Sequence, residues 1–263
     1  MFLKLITEKI NKIYFFRRTL WNMAVKQFKS KYAGSVLGVF WSIVNPLLMM
    51  MAITFVFTVV FKTEIKNFGL FVLSGILPWM FFSGAISETT PSFISQRGVL
   101  HQFSLPKEIL PLSITLSYFL TFLLSWCAIY PIFLFFNPKI APLFPVLIVI
   151  LLFTYLFTSG ISLLCSVANI FFRDIEHLLG VLLMFWFWVT PVFYSIGMVP
   201  RVFRWIFKLN PVTPFIISYQ DLIFQGKMPA LATFGEIVFW TLLSLSSSLA
   251  VSICFETRIL KRI

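Results

Sequence analysis

Chemistry in this chain is scarce, and what is missing is as informative as what is present. The three cysteines, Cys127, Cys165 and Cys254, each sit in an apolar run with no Cys-x-x-Cys or Cys/His spacing. They read as small buried hydrophobes. His101 and His177 are isolated, so no metal centre follows from them. The nine acidic residues are scattered, whereas glycosyl transfer or hydrolysis calls for clustered carboxylates or a metal. No GxxxxGK[ST] motif occurs, and the one Gly-Lys pair, Gly226-Lys227-Met228, lies in an expected external loop, so the chain is not expected to hydrolyse ATP. Ion-coupled transport marks itself by ionisable groups deep inside membrane spans. Only Glu236, in the last apolar run, and Glu88, closing the second, come near that description, and both are expected close to an interface.

The elements that carry these residues must be membrane helices. Of 263 residues, 59% are hydrophobic and 11% charged, against about 25% charged in a soluble domain. Six long apolar runs, at 36–61, 68–88, 109–136, 143–172, 178–196 and 231–255, meet or approach the roughly 20 residues a span needs. Inside lipid the backbone must satisfy its own hydrogen bonds, so the runs are expected as helices. Residues 1–35 carry eight Lys/Arg with polar residues near helical spacing, which describes an amphipathic helix lying in the interface rather than a cleaved leader. The tail is 256–263. With six spans both termini share a side, and that side holds fourteen of the 21 basic residues, which makes it cytoplasmic by the positive-inside rule. The net charge of +12 therefore serves orientation and contact with anionic membrane lipids, with no nucleic acid implied.

Two segments are neither span nor simple loop. Residues 91–106, bracketed by Pro91 and Pro106, are expected as a short cytoplasmic helix exposing Phe93, Ile94, Leu100 and Phe103. Such a surface seats on a partner or packs beneath its own bundle. Residues 190–229 interleave five prolines with aromatics and are expected as a pair of short helices dipping into the outer leaflet, with Thr190-Pro191 ending or kinking the fifth span. A helical membrane body without an energy source fits a conduit driven by a separate subunit.

Six stretches in order resemble the ABC-2-type permeases that export O-antigen, teichoic acid and capsule: 26–48 (KQFKSKYAGSVLGVFWSIVNPLL), 75–82 (GILPWMFF), 105–112 (LPKEILPL), 169–174 (NIFFRD), 190–194 (TPVFY) and 209–214 (LNPVTP). Together they span roughly residues 20–225, and the likeness is greatest to O-antigen permeases. The resemblance implies an all-α, six-helix subunit of a homodimer with two nucleotide-binding ATPase subunits beneath it. ATP and Mg would be bound by those subunits, and this chain would need no cofactor. The implied cargo is undecaprenyl-diphosphate-linked glycan, and the implied location the bacterial inner membrane.

The resemblance makes 91–106 a coupling helix, with Phe93, Ile94, Gln96, Arg97, Leu100 and Phe103 as its contact residues, and 197–227 the external gate helices. Arg173 and Asp174 touch the ATPase or lipid diphosphate, or else Asp174 merely caps the next helix. Phe40, Trp41, Phe55, Phe185, Trp188 and Tyr194 are candidates to line a channel, since aromatic faces slide along sugar rings; the alternative is lipid-facing bulk. Thr190, Pro191, Asn210, Pro211 and Pro214 are hinge or gate candidates. Arg201 and Arg204 are expected on headgroups rather than glycan. Two other classes remain, an ion-coupled flippase of lipid-linked sugars and a membrane enzyme acting on them.

Overall fold

A computed structural model describes residues 2–63, 65–96, 98 and 105–254. Among these every regular element is helical. Two N-terminal helices, α1 (Phe2–Phe15) and α2 (Arg17–Tyr32), stand where one amphipathic segment is expected; the chain leaves helical geometry at Phe16. The first long helix runs over Gly38–Val60, comprising a 3-10 turn, α3 (Trp41–Phe55) and a π-helical turn (Val56–Val60). Then come α4 (Phe68–Thr89), the single turn α5 (Ser92–Ser95), α6 (Ile109–Phe136), α7 (Phe144–Phe171) and α8 (Ile175–Val189). Short helices α9 (Arg204–Leu209) and α10 (Thr213–Tyr219) precede α11 (Leu231–Cys254).

Among the described residues five helical stretches are long and apolar enough to cross a membrane: Gly38–Val60, Phe68–Thr89, Ile109–Phe136, Pro138–Phe171 and Leu231–Cys254. The expected fifth run, 178–196, is instead the 15-residue α8. It is roughly 22 Å long at about 1.5 Å per residue, short of about 30 Å of hydrocarbon. Its end has a local cause. Thr190 precedes Pro191 and takes an extended conformation, since proline disfavours helical geometry in the residue before it.

The axis of the bundle is α4. Phe71, Leu73, Ile76, Phe82 and Ile86 on it are almost wholly buried, facing α3, α6, α7 and α8 in turn. By contrast α3 and α8 stand at the outside. Leu48, Met51, Phe55 and Val59 form one exposed stripe, and Val181, Met184, Phe185 and Trp188 another, both at the three- and four-residue spacing of one helix face.

The closest pairing is α7 with α11. The buried side of α11 is Ile237, Thr241, Ser244, Ser248 and Ser252, a small and hydroxylated stripe that lets two backbones approach. Where they cross, a Cβ on Gly160 would lie 2.7 Å from the carbonyl carbon of Ser244. The serines do not disturb the helix, because Ser244 and Ser248 return their hydroxyls to Thr241 and Leu245 carbonyls in the preceding turn.

α2 packs along α6 rather than lying free at the surface. Gln27 donates to Ser113 (3.2 Å) and the Tyr32 hydroxyl to Thr121 (3.5 Å).

Candidate functional site

The residues expected to act fall into three regions. The first is the face of the bundle that bears α1 and α2. There the turn α5 holds Phe93 at 1% exposure, against Leu163, Val167 and Ile170 of α7. This corrects the expectation that Phe93 is exposed. A phenyl ring beside an apolar helix end loses more by facing water than the short turn loses by folding back. Ile94 is exposed and Gln96 half-buried, while Arg97, Leu100 and Phe103 lie outside the described residues. The outward contact surface on the described part is therefore Ile94. Replacing Phe93 with Asp is expected to loosen the α5–α7 packing in the isolated chain, seen as a lowered unfolding midpoint. Ile94→Asp leaves the unfolding free energy within about 0.5 kcal/mol of wild type.

Arg173 and Asp174 are both exposed in the turn between α7 and α8. Asp174 occupies the N-cap position of α8, but its side chain makes no capping hydrogen bond. Beside this turn an apolar groove of about 790 Å³ runs between α7, α8 and Val251 of α11.

One buried cluster on this face escaped the sequence. Lys9 of α1 sits 2.7 Å from Glu108, at the head of α6, and also donates to Ser252 near the end of α11 (3.0 Å). Ser252 in turn donates to the same Glu108 oxygen. Lys9 and Glu108 are 8% and 5% exposed. Residues 243 and 144 positions apart meet here, so no local spacing could have announced them. A carboxylate and an ammonium withdrawn from water hold only as a pair with their remaining bonding capacity filled.

The second region is the opposite end of α8. Thr190, Asn210 and their neighbours form a knot. Asn210 accepts from the Trp186 indole (2.8 Å) and the Val212 amide (3.0 Å), and donates to the Thr190 hydroxyl (3.0 Å) and the Val189 carbonyl (3.3 Å). Gln220 donates to the Pro191 carbonyl (2.7 Å). Pro214 is buried at the start of α10, and Pro211 half-buried beside it. α10 inserts Phe215, Ile216 and Tyr219 against α4, α7 and α11. The hinge candidates Thr190, Pro191 and Asn210 are thus brought together and cross-braced. Asn210→Leu orphans the Trp186 N–H and the Val212 amide, and each such buried donor costs about 1–3 kcal/mol. The expected result is a lower unfolding midpoint with the Trp186 environment visibly changed in near-ultraviolet circular dichroism. Arg204 donates to the Val199 and Gly197 carbonyls, so it serves the loop's own backbone.

The third region is the aromatic set. Phe40, Phe55, Phe185 and Trp188 are exposed on the outward stripes and edges of α3 and α8 and are not gathered into one wall within a single chain. Tyr194 is half-buried, its hydroxyl donating to the Trp188 carbonyl (2.8 Å). Of the six, Trp41 borders a cavity of about 320 Å³ between α2, α3, α4 and α6. Among the described residues no cluster of His, Cys, Asp and Glu is built to hold a metal ion.

Known proteins resemble this chain in sequence over most of its length. The family description "ABC-2 type transporter" matches residues 18–224. The chain is similar to two O-antigen export system permease proteins RfbA of Klebsiella pneumoniae. One is 32% identical over 206 residues, covering 77% of this chain and 79% of the relative; the other is 34% identical over 208 residues with the same coverage. The protein of the same name from Myxococcus xanthus is 29% identical over 254 residues, covering 91% of this chain and 95% of that one. The match takes in α2, the axial helix α4, the braced end of α8 and the inserted α10, and this chain belongs to the ABC-2 type transporter family.

Proposed function

We propose that the chain is the permease subunit of an ATP-driven exporter, moving a polysaccharide linked to undecaprenyl diphosphate, most similar to O-antigen, out across the bacterial inner membrane. It works as a homodimer above two copies of a separate ATPase subunit that binds ATP and Mg. α8 with the residues after it completes a sixth crossing, which puts both termini in the cytoplasm. Teichoic acid or capsule would satisfy the same fold, and the named relatives favour O-antigen.

The observation that carries this reading is the contrast between the axis and the outside of the bundle. Aromatic side chains of α4 fill the centre, so a path wide enough for a glycan has to run along an outer face. The outer faces of α3 and α8 supply apolar and aromatic stripes suited to lining a path between two copies. The spans offer few charges for coupling to an ion gradient: Glu88 and Glu236 are exposed near the ends of α4 and α11. Force then has to arrive from a partner with differential contacts in two states.

Proteoliposomes test it. With the co-expressed ATPase, uptake of lipid-linked glycan into inverted vesicles is expected to require ATP and to persist when the proton gradient is collapsed. Ile94→Asp is expected to lower co-purification of the ATPase several-fold while leaving membrane insertion intact. Vectorial transport by this chain alone would refute the reading.

A further inference from the structure

The cavity bordered by Trp41 holds an unspent cation. Its walls include Lys31 and Tyr32 from the end of α2, Asn45 from α3, Ser83 from α4, and Tyr118 and Thr121 from α6. Its volume of about 320 Å³ lies at the low end of small-molecule pockets, about 300–1,000 Å³.

Lys31 is exposed along its length, but its ammonium rests 3.6 Å above the Tyr118 ring and has no carboxylate within ion-pair distance among the described residues. Partial removal from water lowers its pKa from the ordinary lysine value, opposed more weakly by the Glu88 carboxylate. A ring face compensates a cation by only about 0.5–2 kcal/mol, so an anion arriving at this ammonium restores what desolvation removed.

The rest of the cavity is fixed rather than soft. A Cβ on Gly84 would lie 2.7 Å from the Tyr118 ring. Tyr118 therefore lies flush on the α4 backbone and presents its free face to Lys31. Pro46 lacks the N–H that would bond the Ser42 carbonyl, and Ser125 of α6 donates to that carbonyl instead (2.7 Å), which ties α3 to α6 behind the site. Trp41 is held by its indole N–H donating to Ser35 (3.1 Å). An ammonium, an amide, hydroxyls and flat aromatic faces together match a sugar phosphate. The phosphate would meet Lys31, and the ring would lie against Trp41 and Tyr32.

We propose that this cavity is a subsite for a phosphorylated sugar, receiving the phosphate and first sugar of the cargo where α2, α3 and α6 meet. The proposal rests on the export reading for the source of that sugar phosphate, and its test is independent of transport. The full chain in nanodiscs is acetylated with a limiting amine reagent, and peptide mass spectrometry reads Lys31 against the exposed Lys26 and Lys29 of the same helix. The probes are farnesyl-diphosphate-linked N-acetylglucosamine, the same sugar on farnesol without the diphosphate, inorganic pyrophosphate, and phosphatidylglycerol.

The expected result is protection of Lys31 by the first probe at least five-fold beyond Lys26 and Lys29, with at least ten-fold weaker protection by each of the other three. Lys31→Met weakens binding of the first probe about ten-fold and Lys31→Arg restores most of it. Equal protection by pyrophosphate or phosphatidylglycerol would make the site a simple anion or membrane-lipid contact and overturn the proposal, as would a Lys31 that stays reactive with the first probe bound. Export with Lys31 unprotected would sink the subsite and leave the export reading standing. Protection without ATP-driven export would do the reverse.

Discussion

Glu108→Ala is expected to destabilise the chain by about 3–5 kcal/mol, because it removes the carboxylate that lies 2.7 Å from the buried Lys9 ammonium. Lys9→Met removes the other partner and is expected to cost a similar amount. The combined variant Lys9→Met/Glu108→Leu recovers most of the loss, since two apolar side chains of similar bulk need no compensation. That non-additivity, read from a double-mutant cycle of urea unfolding in detergent followed by tryptophan fluorescence, separates an ion pair from two independent packing sites. A second readout is local. The pair joins α1 to α6 and α11, so either single variant should open α1 to limited proteolysis before the bundle unfolds. Additive single effects, or a protected α1 in both, would show that the pair holds nothing.

The crossing of α7 and α11 predicts the second large effect. Gly160→Leu places atoms where the Ser244 carbonyl group already sits. Backbone cannot rotate aside as a side chain does, so the two helices have to part. Overpacking costs about 1–3 kcal/mol in general, and here the displaced contact is the most extensive in the bundle, which puts Gly160→Leu at or above the top of that range. Gly160→Ala should show a smaller loss of the same kind. Adding Ser244→Gly should return only part of it, because the hydroxyl is one of three crowded atoms and the other two are main chain. Gly180→Ala, at a helical glycine with open space around it, is the control and should be neutral or stabilising. Thermal unfolding of the four variants in detergent decides it. A neutral Gly160→Leu would mean that the helices do not meet at this distance.

The contrast between these sites and those seen in the sequence has a physical basis. Hydropathy alone gave the long helices near their observed ends, since in lipid an apolar run has one way to satisfy its backbone. The fifth run differs in where its helix ends, because composition extends through Thr190-Pro191-Val192-Phe193 while helical geometry stops at Val189, and aromatic richness hides a helix end. Phe93 failed for a different reason. Two bracketing prolines isolate a segment in the chain but say nothing about whether it folds back in space. Glu108 and Lys31 were visible as charged residues beside apolar runs and Lys9 as one of the eight basic residues of 1–35, yet their meaning lies in contacts between distant parts of the chain. The serines of α11 repeat at helical spacing, and that pattern was open to reading as a close helix crossing. The motif stretches fared differently: Thr190-Pro191 and Leu209-Asn210-Pro211 lie together in one hydrogen-bonded knot, although nothing in either stretch alone points to the other.

That knot sets how α8 is able to move. Asn210 fastens the helix by Trp186, Val189 and Thr190 at one end, while the opposite end stands beside an open apolar groove. The hydrogen bonds of Asn210 gather at the Thr190 end, so a force applied at the exposed Arg173-Asp174 turn is expected to tilt α8 about that end rather than to pull the knot apart.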